Sequence, residues 1–168
     1  QTDWLAVGSG FDNVIGTLWV NPSTCHPVGS TIGPEIGHCF QYQVHCDNNN
    51  QNGWMYAPGG GYGCAFWEQC AQWQAYKIMP ADQFTNEWFD GYMKNVHKHI
   101  LHESPRYNNY FVHDFWCYKH GVDFVGRLWN ESKNPEDAVE AYKRITGITN
   151  SEFNDEMYEC AARFATWD

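Results

Sequence analysis

Apolar and polar positions follow two different rhythms, with the change near residue 30. Residues 4–20 (W-L-A-V-G-S-G-F-D-N-V-I-G-T-L-W-V) are β-branched and aromatic, interrupted by Gly8, Gly10 and Gly16. This pattern predicts two short strands joined by a glycine-containing turn. The second strand, Val14 to Val20, stops at Asn21-Pro22, because proline has no N–H to give a ladder. From Ser30 onward the spacing is helical. Ser30 is the expected N-cap of a helix to Asp47 that buries Ile32, Ile36, Cys39, Phe40 and Val44 and closes at Asn48-Asn49-Asn50. Pro34 falls early in that helix, where a missing N–H removes at most one intrahelical bond. A second helix is expected from Cys64 to Met79, ended by Pro80. It carries Phe66, Cys70 and Trp73 on one face and Trp67, Ala71 and Gln74 on another, so it belongs in a core.

The second half reads as helical throughout. Phe84 to Leu101, Asn109 to His120 and Val122 to Asn130 carry apolar residues at helical spacing. Asn134-Pro135-Glu136-Asp137 predicts an N-cap, a proline at the first helical position and two acids in the first turn, with Gly147 closing the helix. Thr149-x-x-Glu152 is a capping box with an Ile148/Phe153 staple. The last helix buries Phe153, Met157, Cys160, Ala161 and Phe164. The expected fold is therefore α+β, a single domain over 1–168: strands and loop to residue 29, two motif helices and a glycine-rich loop over 30–80, and a helical region over 81–168.

Composition narrows the function classes. A net charge of -10 disfavours nucleic acid and anionic membrane surfaces as partners. No apolar run approaches the 18 or so residues of a membrane span. Nine Trp, ten Tyr and ten Phe exceed what a small core needs, which leaves rings for stacking on sugars or peptides. Trp54, Tyr56 and Tyr62 in the segment Gln51–Gly63 are the candidates for such substrate contacts. A glycine run this dense suits either a loop passing close to a ligand or a plain surface loop. The seven cysteines include no C-x-x-C, and either one or two disulfides near the motifs or buried thiols are compatible with their spacing. Asn130-Glu131-Ser132 is a glycosylation sequon.

The sharpest chemical signal is Pro34-Glu35-Ile36-Gly37-His38. It is one residue away from H-E-x-x-H, in which two histidines on one helix face hold zinc and the glutamate takes a proton from the metal-bound water. Three segments carry a wider likeness. They are Leu18-Trp19-Val20-Asn21-Pro22, Gly29-Ser30-Thr31-Ile32-Gly33-x-Glu35-Ile36-Gly37-His38-x-Phe40-Gln41, and Phe66-Trp67-Glu68-x-x-Ala71-Gln72-Trp73. Together they resemble the gluzincin branch of the zinc metallopeptidases, and more closely an uncharacterised family of secreted gluzincin-like domains. The resemblance covers roughly Trp4 to Tyr76.

It implies a zincin-like fold and a secreted, periplasmic or extracellular location. It also implies zinc as cofactor, with His38 and Glu68 as ligands and Glu35 as general base. Pro34 occupies the position of the other histidine and cannot coordinate, which weakens the expected zinc site. A later-helix His113 or Tyr118 would stabilise an oxyanion. Substitute ligands are Glu35 itself or His26, since His45 stands about 10 Å along the helix from His38. The expected function is a metallopeptidase-like domain with a degenerate site, binding peptide or glycoprotein, and glycans as a further partner class. A working metallohydrolase with an unusual ligand set and an aromatic-rich binding module remain as alternatives. His97, His99 and His102 form a second histidine group, read as a titrating helix face or a metal pair at i, i+3.

Overall fold

The computed structural model describes residues 5–25, 31–48, 64–83, 86–133 and 135–166. The chain is α+β, with a two-stranded antiparallel sheet at its start and helices over most of the rest. Strands β1 (Ala6–Phe11) and β2 (Ile15–Val20) pair from Ala6↔Val20 to Phe11↔Ile15. The turn between them is not the expected glycine turn. Asp12 and Asn13 hold φ of 52° and 54°, a left-handed conformation that these two residue types tolerate better than most.

The glycines do something else: they lie within the strands and let a helix approach. That helix is α1 (Ile32–Asp47). A Cβ at Gly8 would stand 2.1 Å from the carbonyl oxygen of Glu35, and one at Gly16 2.3 Å from that of Cys39. Gly8 therefore has to be glycine for the hairpin to lie on α1. Polar clamps fix the register of the two, with Tyr42 donating to Asn13 and Gly16 N–H donating to Gln43.

Helix α1 follows Thr31, which makes no side-chain cap, and the expected cap Ser30 lies outside the described residues. Pro34 is the third helical residue. Its missing N–H is one of the four that no intrahelical acceptor serves, so the ring costs the helix no hydrogen bond. On its other flank α1 packs on α2 (Ala65–Ile78) through small residues. A Cβ on Gly37 would be 3.0 Å from Ala71 Cα, and one on Gly33 2.9 Å from Ala75 Cβ. This close crossing positions the site described below.

Helices α3 (Pro80–Gln83) and α4 (Asn86–Asn95) follow. The helix expected to reach Leu101 ends at Asn95, and turns run from there to α5 (Phe111–His120). Side chains compete with the ladder here: Asn95 Nδ2 donates to Gly91 O, and the rings of His99 and His102 accept from the N–H groups of Leu101 and Ser104. The histidine group is thus in a turn, not on a helix face.

Helix α6 (Phe124–Glu131) precedes α7 (Ala138–Thr146), which starts later than Pro135 suggested. Asp137 accepts from Val139 and Glu140 N–H while Glu140 accepts from Asp137 N–H, a reciprocal capping box. Gly147 closes α7 at φ 76°, as its type requires. The Thr149/Glu152 box opens α8 (Asn150–Thr166).

Helices α2 and α5–α8 enclose an aromatic core. Phe66 stacks on Trp129 at 5.7 Å, Trp116 lies 4.7 Å from Tyr142, and Phe124 meets Tyr142 edge-on. Full burial of a side chain such as Leu128 stabilises by about 1.5–3 kcal/mol. No disulfide joins any of the seven cysteines, all of which lie in the described residues. Among the described residues no helix is long and apolar enough to cross a membrane.

Candidate functional site

Where α1 crosses α2, His38 Nε2 stands 3.3 Å from Glu68 Oε2. The imidazole is nearly closed off, with 4% of its side chain exposed, while Glu68 keeps 20% and opens toward solvent. Two features of the sequence create this meeting. The Gly33/Gly37 stripe lets α1 sink against Ala71 and Ala75, and His38 and Glu68 flank that seam.

Gln41 decides the state of the ring. Its Nε2 donates to the Trp67 carbonyl oxygen at 3.0 Å, so its Oε1 must be the atom facing His38 Nδ1 at 2.8 Å. Nδ1 then carries a hydrogen, and Nε2 points at a carboxylate. Two acceptors at 3.3 Å require a proton or a cation between them. Burial alone pulls the imidazole pKa down, but the hydrogen bonds to Glu68 and Gln41 and the charges of Glu68 and Glu35 outweigh it and raise the value.

Glu35 lies next to this pair but is differently engaged. Its Oε2 accepts the Gly8 N–H at 2.6 Å, which ties the half-buried carboxylate to the hairpin. Burial raises its pKa, against the opposing pull of the Gly8 hydrogen bond and the His38 charge.

Tyr107, which the sequence did not single out, completes the surroundings. Its hydroxyl donates to Glu68 Oε1 at 3.4 Å, and the Arg106 guanidinium lies 4.9 Å from the centre of its ring. Burial, then the Glu68 charge, raises its phenol. Glu103 in the same turn accepts the Ala65 N–H at the start of α2 at 3.2 Å, so the 96–110 segment is pinned to the helix that carries Glu68. Tyr107 follows Pro105-Arg106 in a stretch without periodicity. Its only sequence signal is an aromatic beside a cation in a proline turn.

The other expected site residues are placed elsewhere. His113 is fully buried in an aromatic box, with Phe66 at 5.3 Å, Trp116 at 5.4 Å and Trp73 at 6.0 Å, and its Nε2 is 3.7 Å from Cys70 Sγ. Cys70 and Glu68 are two residues apart, roughly 160° around α2, so His113 packs on the helix face away from Glu68. With no polar access, it cannot serve an oxyanion beside His38. Tyr118 is 66% exposed and lies under the Arg163 guanidinium of α8, at 4.7 Å. Trp54, Tyr56, Tyr62 and His26 lie outside the described residues. His45 is buried against the edge of Tyr42.

These residues do not fit a resident zinc ion. A catalytic zinc uses three protein ligands, whereas His38 and Glu68 supply two and the side chain four residues before His38 is a proline. Glu35 is held by Gly8, and among the described residues no three His, Cys, Asp or Glu side chains form a metal-holding group. The pair is chemically suited to share a proton or to hold a cation loosely.

The model of a family of unknown function (DUF6055) matches residues 1–168, and the chain belongs to that family. No curated protein and no solved structure matches it.

Proposed function

We propose that the chain is a secreted, gluzincin-like domain whose zinc site is degenerate, and that it binds peptide or glycoprotein without ordinary peptidase turnover. One observation carries the reading. An imidazole and a carboxylate from distant segments meet at 3.3 Å beside Glu35, while the position that would complete a histidine pair is Pro34.

The chemistry left to these side chains is recognition. Glu68 presents a partly exposed carboxylate, steadied by His38 and Tyr107, that can accept from a peptide N–H or pair with a basic side chain. The net charge of -10 favours neutral or basic partners over acidic ones. Trp54, Tyr56 and Tyr62 are the proposed stacking residues for a peptide side chain or a glycan. Glu35, tied to Gly8 N–H, is poorly placed to act as a base.

The test has two arms. With one equivalent of zinc and an unfolded protein such as casein as substrate, no cleavage above that of Glu35→Gln is expected. Zinc-dependent cleavage lost in Glu35→Gln would establish a working hydrolase instead. In the second arm the immobilised chain is exposed to a random peptide and glycopeptide library. Retention reduced by Glu68→Gln or Trp54→Ala is expected, and no retention would overturn the binding reading.

A further inference from the structure

A second hollow lies away from the His38–Glu68 pair, between the turn after α4, α5 and α8. Its volume is about 340 Å³. The floor is apolar: Ile100, Val112, Phe153, Met157 and Ala161. An apolar cavity of about 150 Å³ takes a benzene, so this one has room for roughly a dozen heavy atoms. It also falls within the usual range for small-molecule pockets.

The rim is of a different character. It carries Lys98, His97 and His99 with Asn95 and Asn154, and among the described residues no carboxylate lines the hollow. That is notable in a chain where Asp and Glu outnumber Lys and Arg by 20 to 10. Lys98 has no ion pair among the described residues, and its Nζ donates to the neutral Ser104 hydroxyl at 3.3 Å. His99 spends Nδ1 as the acceptor of the Leu101 N–H at 3.2 Å, which leaves Nε2–H as a donor. These hydrogen bonds within the turn after α4 fix this rim. An apolar floor beneath an ammonium with no ion pair among the described residues matches a ligand with an apolar body and one anionic head.

We propose that this hollow binds a small amphiphilic carboxylate, with the chain or ring on Ile100, Phe153 and Met157 and the carboxylate at Lys98. The site is independent of the peptide-binding reading and shares no residue with it.

The probe is sodium decanoate, with 1-decanol as its uncharged counterpart, titrated calorimetrically into the full chain. One-to-one binding of decanoate is expected, at least 5-fold tighter than decanol. Lys98→Met should weaken decanoate about 5- to 10-fold while leaving decanol and the melting temperature unchanged. Ala161→Phe, which fills the hollow, should abolish both. No binding of decanoate at millimolar concentration would overturn the proposal, as would equal binding of the alcohol or indifference to Lys98→Met. Because Lys98 is a rim residue, that variant decides the matter even if Ala161→Phe fails to fold. Vesicles of anionic phospholipid separate a free carboxylate from a membrane source: no co-sedimentation is expected, and binding to vesicles without binding to decanoate would refute the free-ligand assignment.

Discussion

Two buried histidines, His38 and His113, sit on opposite flanks of α2 and have opposite characters. His38 is held by Gln41 on one nitrogen and faces Glu68 with the other, with Glu35 close by. His113 is enclosed by three aromatic rings, has only Cys70 Sγ near Nε2, and its Nδ1 has no partner among the described residues. Both are almost inaccessible, at 3% and 0% exposure. Burial therefore does not identify a site here. What separates the two is whether the fold supplies groups that stabilise a charge on the ring, and it does so only where α1 and α2 cross.

The largest consequence is a pH dependence of opposite sign. Burial lowers the His113 value to about 3. The unfolded chain takes up a proton below pH 6.5 that the folded chain refuses, so a penalty grows as pH falls toward 3. At about 1.4 kcal/mol per pH unit, it reaches roughly 3 kcal/mol by pH 4. His113→Leu should remove that portion of the acid limb in urea denaturation followed from pH 7 to 4. His38 acts the other way. Its raised folded value makes its contribution complete below pH 6.5 and lost as pH climbs through that value, and the raised Glu35 carboxyl works in the same direction. His38→Leu should therefore flatten the loss of stability that sets in as pH rises above 6.5. Identical pH profiles for the two variants would end the distinction.

Next in size is Gly8→Ala, which acts on the His38 side alone. The added methyl meets the backbone oxygen of Glu35 at 2.1 Å, a contact no rotamer can relieve. A loss of about 2–3 kcal/mol is expected from chemical denaturation, with the Glu35–Gly8 hydrogen bond broken. A loss below about 0.5 kcal/mol, at the level of a neutral surface change, would mean the hairpin does not rest on α1 as described.

The smallest of the three is the difference between the two leucine variants at a single pH, pH 7. His38→Leu removes the partner of the Gln41 oxygen and the positive group facing Glu68 and Glu35, at a cost of about 2 kcal/mol. His113→Leu replaces a poorly satisfied ring by an apolar side chain of similar size and should stay within about 1 kcal/mol of wild type. A His113 variant costing more than the His38 variant would reverse the assignment of polar role and packing role.

Much of this contrast could be read from residue types, but not all. The hairpin and the two motif helices follow from local spacing, whereas pairing His38 with Glu68 rests on the family resemblance. The last capping box also follows from local spacing, because Thr149 and Glu152 act on each other's backbone without outside help. The strand glycines were harder, since Gly8 and Gly16 resemble turn residues until α1 is known to lie against them. The helix expected to run to Leu101 stops at Asn95, whose side chain donates to the Gly91 carbonyl, and the His99 and His102 rings then hold the N–H groups of Leu101 and Ser104 in turns. Pro135 suggested a start for α7 that the stronger Asp137–Glu140 exchange overrode. Gln41 and Tyr107 left little trace, because their roles depend on which groups another segment brings to them. His113 resembled a catalytic residue only while its aromatic neighbours were unplaced.

We propose that the His38–Glu68 pair is a zinc site one ligand short at Pro34, and the direct measurement is zinc affinity of wild type and Pro34→His by competition with a chromogenic chelator. Position 34 is one helical turn before His38 on α1 and is buried near it, so a histidine there should supply the third ligand. Weak, micromolar or poorer binding by wild type and at least a 100-fold gain in Pro34→His are expected. A tightly held zinc in wild type, or no gain in a folded Pro34→His, would contradict the account.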